Sequence, residues 1–137
     1  MAKMVQNHWE LDVFKKAFDV ATALTELSRT FPREEMYSLT DQMRKAARSV
    51  CSNLAEAWRK RCYEASFASK LNDAEGEAAE TQVWIQFAVK CGYMEREVAN
   101  QHFRTCEEVI RILVAMRLNA ENWAFPAPER PRKPKSK

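Results

Sequence analysis

The sequence predicts an all-α protein, an up-down-up-down antiparallel four-helix bundle that assembles into a homo-oligomer. Three observations carry this expectation. Apolar residues recur at helical spacing in four long stretches. Only two glycines occur in 137 residues, too few for the many tight turns of a β-rich fold. The stretch Val83-Trp84-Ile85-Gln86-Phe87-Ala88-Val89 is apolar almost all round, and one bundle core covers only one side of such a helix.

The first helix is expected from about Glu10 to Thr30. Phe14, Ala17, Phe18, Ala21, Leu24, Thr25 and Ser28 form its inward side, with Asp12, Lys15, Asp19, Thr22 and Glu26 opposite. It should stop before Phe31-Pro32, because a residue preceding proline avoids the αR region. The connection PREEMYS follows, and Tyr37 is expected to pin it to the bundle.

The second helix, Leu39 to Arg61, sorts two chemistries onto two sides. Leu39, Met43, Ala46, Val50, Leu54 and Trp58 fall in a sector of about 120°, with Ser38 or Thr40 as the N-cap. Arg44, Lys45, Arg48 and Arg59 fall within about 100° on the other side. The third helix runs from about Ala65 to Lys90, with Phe67, Leu71, Ala74 and Ala78 inward, and Gly92 ends it as a C′ glycine. The fourth runs from Glu95 to Asn122. Its seam is His102, Cys106, Val109, Leu113, Met116 and Ala120, widened by Phe103, Ile110 and Val114.

Residues 1–123 are therefore read as the bundle, and residues 124–137, with four prolines, as a disordered basic tail. Net charge is +3, unevenly spread. The tail carries +4, residues 39–62 carry +4, and residues 63–92 carry −3. The folded part is bipolar rather than basic.

Catalytic chemistry finds no support. The four cysteines form no CxxC pair, and the two histidines supply no HxxxH partner, so zinc is not expected. Glu75, Glu77 and Glu80 lack the Glu-x-x-His pairs of a di-metal bundle. His102 reads as a seam residue, His8 as solvated, and Cys106 as a buried thiol in a reducing compartment. No cofactor, metal or small-molecule substrate is expected. No apolar run reaches the roughly 18 residues of a membrane span, and MAKMVQNHWELDVF lacks a signal-peptide apolar region. The expected location is cytoplasmic.

The basic side of the second helix has two readings. It is a solvated face, or one paired with acids of a neighbouring helix or subunit. Alternatively it binds phosphate, for which the arginine fork is suited. The tail has the same two readings, as a solubilising end or a non-specific nucleic-acid arm. Trp58 and Trp84 read as packing anchors.

The pattern FP-x-EE-x-Y-x-L-x-x-Q-x-RKAA-x-S-x-x-x-NLAEA, Phe31 to Ala57, is joined by E-x-x-ET-x-x-W and CGY between Glu77 and Tyr93. Together they resemble the four-helix-bundle family encoded by intervening sequences of bacterial large-subunit (23S) ribosomal RNA genes. The resemblance covers about residues 10–120. Cys51 stands where members often have proline, and Ala57 where they often have glycine. The first departure should straighten or stabilise the second helix. The second should deny a very close backbone approach. The family carries no established catalytic activity. The chain is also similar to the accessory protein of diversity-generating retroelements, a pentamer that works with a reverse transcriptase and nucleic acid. That similarity implies a homopentamer here, with Val83, Trp84 and Phe87 at its interface on the residue reading. It also implies RNA or DNA as a partner, which on the residue reading Arg44, Lys45, Arg48 and Arg59 would hold, and a protein partner such as a reverse transcriptase. The alternative is a structural or adaptor oligomer that binds another protein and no nucleic acid.

Overall fold

The computed structural model describes residues 5–124. The tail expected at residues 124–137 therefore lies, from residue 125 onward, outside the described residues. Four long helices account for most of what is described: α1 (Asp12–Leu27), α2 (Leu39–Arg59), α3 (Glu64–Lys90) and α4 (Arg96–Leu118). A short α5 (Ala120–Trp123) follows, and single 3-10 turns stand at His8–Glu10, Ser28–Thr30 and Arg33–Glu35. No strand occurs among the described residues.

The stripes read from the sequence become the core. Leu39, Met43, Ala46, Val50, Leu54 and Trp58 are all buried. So are Phe67, Leu71, Ala74 and Ala78 on α3, and Cys106, Val109, Leu113 and Met116 on α4. Each large apolar side chain buried in this way contributes about 1.5–3 kcal/mol. Two clusters result, one around Trp58, Phe67, Leu71 and Leu113, the other around Leu24, Met43, Ile85 and Ala99. Cys51 packs against both, and α2 passes through it without a break.

Helices α2 and α3 share a broad contact, as do α3 and α4, whereas α1 lies more lightly on α2 and α4. Polar ties fix the register. Arg117 Nε donates to Glu75 at 2.6 Å, and Gln82 Nε2 donates to Glu107 at 2.8 Å and to the Phe103 carbonyl at 3.2 Å. At the end of α3 the Gly92 N–H reaches the Val89 carbonyl (3.0 Å) and the Tyr93 N–H the Ala88 carbonyl (2.8 Å). Gly92 has φ +76°, so this is a Schellman stop that needs its glycine.

Several expectations change in detail. The inward face of α1 is Val13, Ala17, Val20, Ala21 and Leu24, rotated by about 50° from the stripe expected. Phe18 consequently stands 54% exposed. Tyr37 is 89% exposed and pins nothing. Tyr93 does that work, donating to Glu35 at 3.0 Å and packing its ring 5.6 Å from Phe31. Helix α2 ends at Arg59, and Arg61 turns back so that its guanidinium lies 3.6 Å over the Trp58 ring. Ser38, not Thr40, occupies the N-cap position, and Thr40 is buried. Asn119 interrupts the last helix, its side-chain amide donating to the Ala115 carbonyl at 2.8 Å in competition with the backbone ladder.

Candidate nucleic-acid interface

The cations of α2 do not form one uniform face. Arg44 lies against the C-terminal end of α1: its Nε donates to Ser28 Oγ at 2.7 Å and an Nη to the Thr25 carbonyl at 3.4 Å. Those carbonyls carry the negative end of the α1 dipole, so a guanidinium is favourable there. Arg48, one turn on, is exposed and donates to Thr25 Oγ1 at 3.2 Å. Lys45 is exposed and pairs with Asp41 of its own helix at 3.2 Å. Arg59 is exposed at the far end of α2, followed by exposed Lys60.

Most acids of α3 are engaged elsewhere within the chain. Glu75 holds Arg117 of α4, and Glu80 accepts from the Trp84 indole at 3.3 Å. Burial, then the neighbouring Glu80 and Asp73, raise the Glu77 carboxyl above its usual range. Glu56 of α2 pairs with Lys70 at 2.8 Å. Among the described residues no acid of α3 forms an ion pair with Arg48 or Arg59. Burial lowers His102, which is half-buried on the α4 seam, below its usual value. It pushes the Cys51 thiol to about 11 and Cys106 to about 12, far from reactive thiolates. No cluster of His, Cys, Asp and Glu among the described residues is placed to hold a metal ion.

Beside these cations lies a feature the sequence reading did not single out. His8, Trp9, Phe14 and Phe18 form a run of adjacent rings, with centroid steps Trp9–His8 5.1 Å, His8–Phe14 4.9 Å and Phe14–Phe18 5.7 Å. The signal for it was present. Apolar residues of α1, from Val20 round to Phe18, cover about 160° of the helix, wider than one core contact needs. On α3, Val83 and Phe87 are open to solvent and Trp84 is half-buried, its ring 5.9 Å from Phe87, whereas Ile85 and Ala88 are buried. Trp58 is a packing anchor, its indole N–H donating to the Gln6 carbonyl at 3.0 Å. Trp84 also packs against the core, half-buried beside exposed Phe87.

Residues 9–115 match the family of the 23S rRNA-intervening sequence protein. The chain belongs to that family. Among solved structures this family member is similar to a protein of unknown function from the S23 ribosomal protein family of Bacteroides thetaiotaomicron, with 24% identity and a TM-score of 0.71. The match covers 78% of this chain and 96% of the other, and it speaks for a shared fold. No curated protein matches this intervening-sequence family chain.

Proposed function

We propose that the protein is a non-enzymatic, oligomeric four-helix bundle of up-down-up-down antiparallel topology that associates with nucleic acid, RNA foremost, through the basic flank of α2. The observation that supports this is the exposure of Lys45, Arg48 and Arg59 on α2 while Glu75 and Glu80 of α3 are occupied by other partners. Arg44 braces the flank by fixing α1 to α2, and Arg48 and Arg59 meet phosphate. Val83, Trp84 and Phe87 form the contact between copies, and the number five rests on the resemblance to the retroelement accessory protein. A ring repeats a weak site around its rim and raises avidity without new contacts. Cytoplasmic residence belongs to the same proposal, and no described helix is long and apolar enough to cross a membrane.

A second reading, an adaptor oligomer for a protein such as a reverse transcriptase, is favoured by exposed apolar side chains outside that contact, such as Met36 and Leu118. Fluorescence anisotropy with structured RNA and with an unrelated DNA duplex at two salt concentrations separates the two. The nucleic-acid reading expects binding without sequence preference. Log affinity should fall with log salt by about 0.9 per duplex phosphate contact or about 0.7 on single strands. Arg48→Glu with Arg59→Glu should weaken both ligands and flatten that slope. Absence of binding at low salt refutes the reading and leaves the adaptor.

A further inference from the structure

The groove between α1 and α2 holds an arrangement that a phosphate-binding flank alone does not require. Because α1 packs lightly on α2, a cleft of about 580 Å³ opens over Phe14, Phe18, Cys51 and Ala55, with Arg48 on its wall. It meets a second, larger cleft at His8 and Ala55, where Trp9, Arg59 and Lys60 line the wall. The rings of Trp9, His8, Phe14 and Phe18 follow one another along this path in steps of 5.1, 4.9 and 5.7 Å. Trp9 is 56% exposed and Phe18 54%, so neither is accounted for by the core. Arg48 and Arg59 are eleven residues apart on α2, about 16 Å along the helix axis. Arg48 shares the first cleft with Phe18 and Arg59 the second with Trp9, so a cation lines the groove beside each end of the ring run.

We propose that this groove is a single-strand site, in which bases stack on Trp9 and Phe18 while Arg48 and Arg59 hold the phosphates. The inference rests on the nucleic-acid reading above and specifies its ligand as an unpaired segment of RNA or DNA. Aromatic faces flanked by cations suit unpaired bases, because every base offers a π-face and every step a phosphate. A duplex buries those faces in its own stack, so it engages the cations alone. The lining acids do not cancel the charge. Glu26 pairs with Arg29 at 2.9 Å, and Glu56 with Lys70 at 2.8 Å. An amphipathic helix of another protein would meet rings rather than aliphatic side chains, with two guanidiniums and a lysine among them. That is a poor match for interlocking aliphatic packing.

The test compares Trp9→Ala, Phe18→Ala and the Arg48→Glu/Arg59→Glu pair in the full chain. The probes are a single-stranded oligouridine and an RNA duplex. Trp9→Ala and Phe18→Ala should each weaken oligouridine binding by about tenfold, leave duplex binding within about twofold, and preserve the salt slope. The charge reversal should weaken both ligands and flatten the slope. Circular dichroism and light scattering of each variant should match the parent. If the charge reversal weakens binding but the aromatic variants leave oligouridine affinity unchanged, the groove proposal is overturned and the nucleic-acid reading stands. If neither probe binds at low salt, the nucleic-acid reading itself falls. If Phe18→Ala changes the assembly mass, the groove is a contact between copies, which also overturns the proposal.

Discussion

The two glycines make opposite demands on the chain. Gly92 has φ +76°, and a Cβ there would meet nothing within 4 Å, so alanine would suffer backbone strain rather than a clash. Gly92→Ala should cost about 1–2 kcal/mol. Gly76 lies within α3, where a Cβ also meets nothing within 4 Å. There Gly76→Ala should stabilise by about 0.5–1 kcal/mol, because glycine loses more freedom on entering a helix. Urea unfolding monitored by circular dichroism checks both signs. Glu77 gives a pH prediction. Its carboxyl is raised by burial first and by Glu80 and Asp73 after that, so the folded state favours its protonated form. The penalty is fully present above the folded-state value and vanishes as pH falls below the ordinary carboxylate range. Glu77→Gln should therefore raise Tm at pH 7, and the gain should close by about pH 4. A gain that is constant with pH would show that the carboxylate charge is not its cause.

At the scale of elements, α1 is the lightly held helix and Arg44 is its clasp. The Arg44 guanidinium meets Ser28 Oγ and the Thr25 carbonyl, at the end of α1 where carbonyls lack helical partners. Arg44→Met keeps the stem and loses these bonds, at a cost of about 1 kcal/mol. Amide exchange should quicken at Ser28–Phe31 well before it does in α3. The same lightness opens the groove that exposes Phe18. Helix α3 is the opposite case. It packs broadly on both α2 and α4, and Phe67, Leu71 and Ile85 along its length are almost wholly buried. Leu71→Ala should cost about 2–5 kcal/mol, the range of a large core deletion that leaves a cavity.

For the whole molecule the decisive surface is the outer side of α3. Phe87 is 52% exposed beside half-buried Trp84, and leaving such apolar area in water favours association. Phe87→Glu removes an apolar contact without touching the core. On the proposed assembly, it should shift light scattering from an oligomer mass toward the 15.9 kDa of one chain. A parent protein that already scatters as one chain at micromolar concentration would end the oligomer proposal. The groove of α1 and α2 holds none of the residues assigned to that contact, so Phe87→Glu should lower avidity for RNA while leaving the affinity of each single site intact.

The sequence alone determined the helices and most of what they bury. Period and glycine scarcity are local properties, and the stripes on α2, α3 and α4 state which side must leave water. It also showed that one core does not cover Val83–Val89, since a helix apolar on all sides exceeds what one partner face conceals. The tertiary structure decided what each side chain touches. The 50° rotation of α1 depends on how α2 and α4 present their small residues to it, which no pattern within α1 encodes. Nor does position on a helical wheel tell Arg44 from Arg48. Both lie on the basic side of α2, yet half-buried Arg44 reaches the backbone at the end of α1, whereas exposed Arg48 touches only the Thr25 hydroxyl. The ring run from Trp9 to Phe18 crosses a turn and a helix start, and it becomes a continuous surface only when Leu11 is buried and the chain bends around it. Tertiary contact, rather than composition, decides how far each cation of α2 is drawn into the fold.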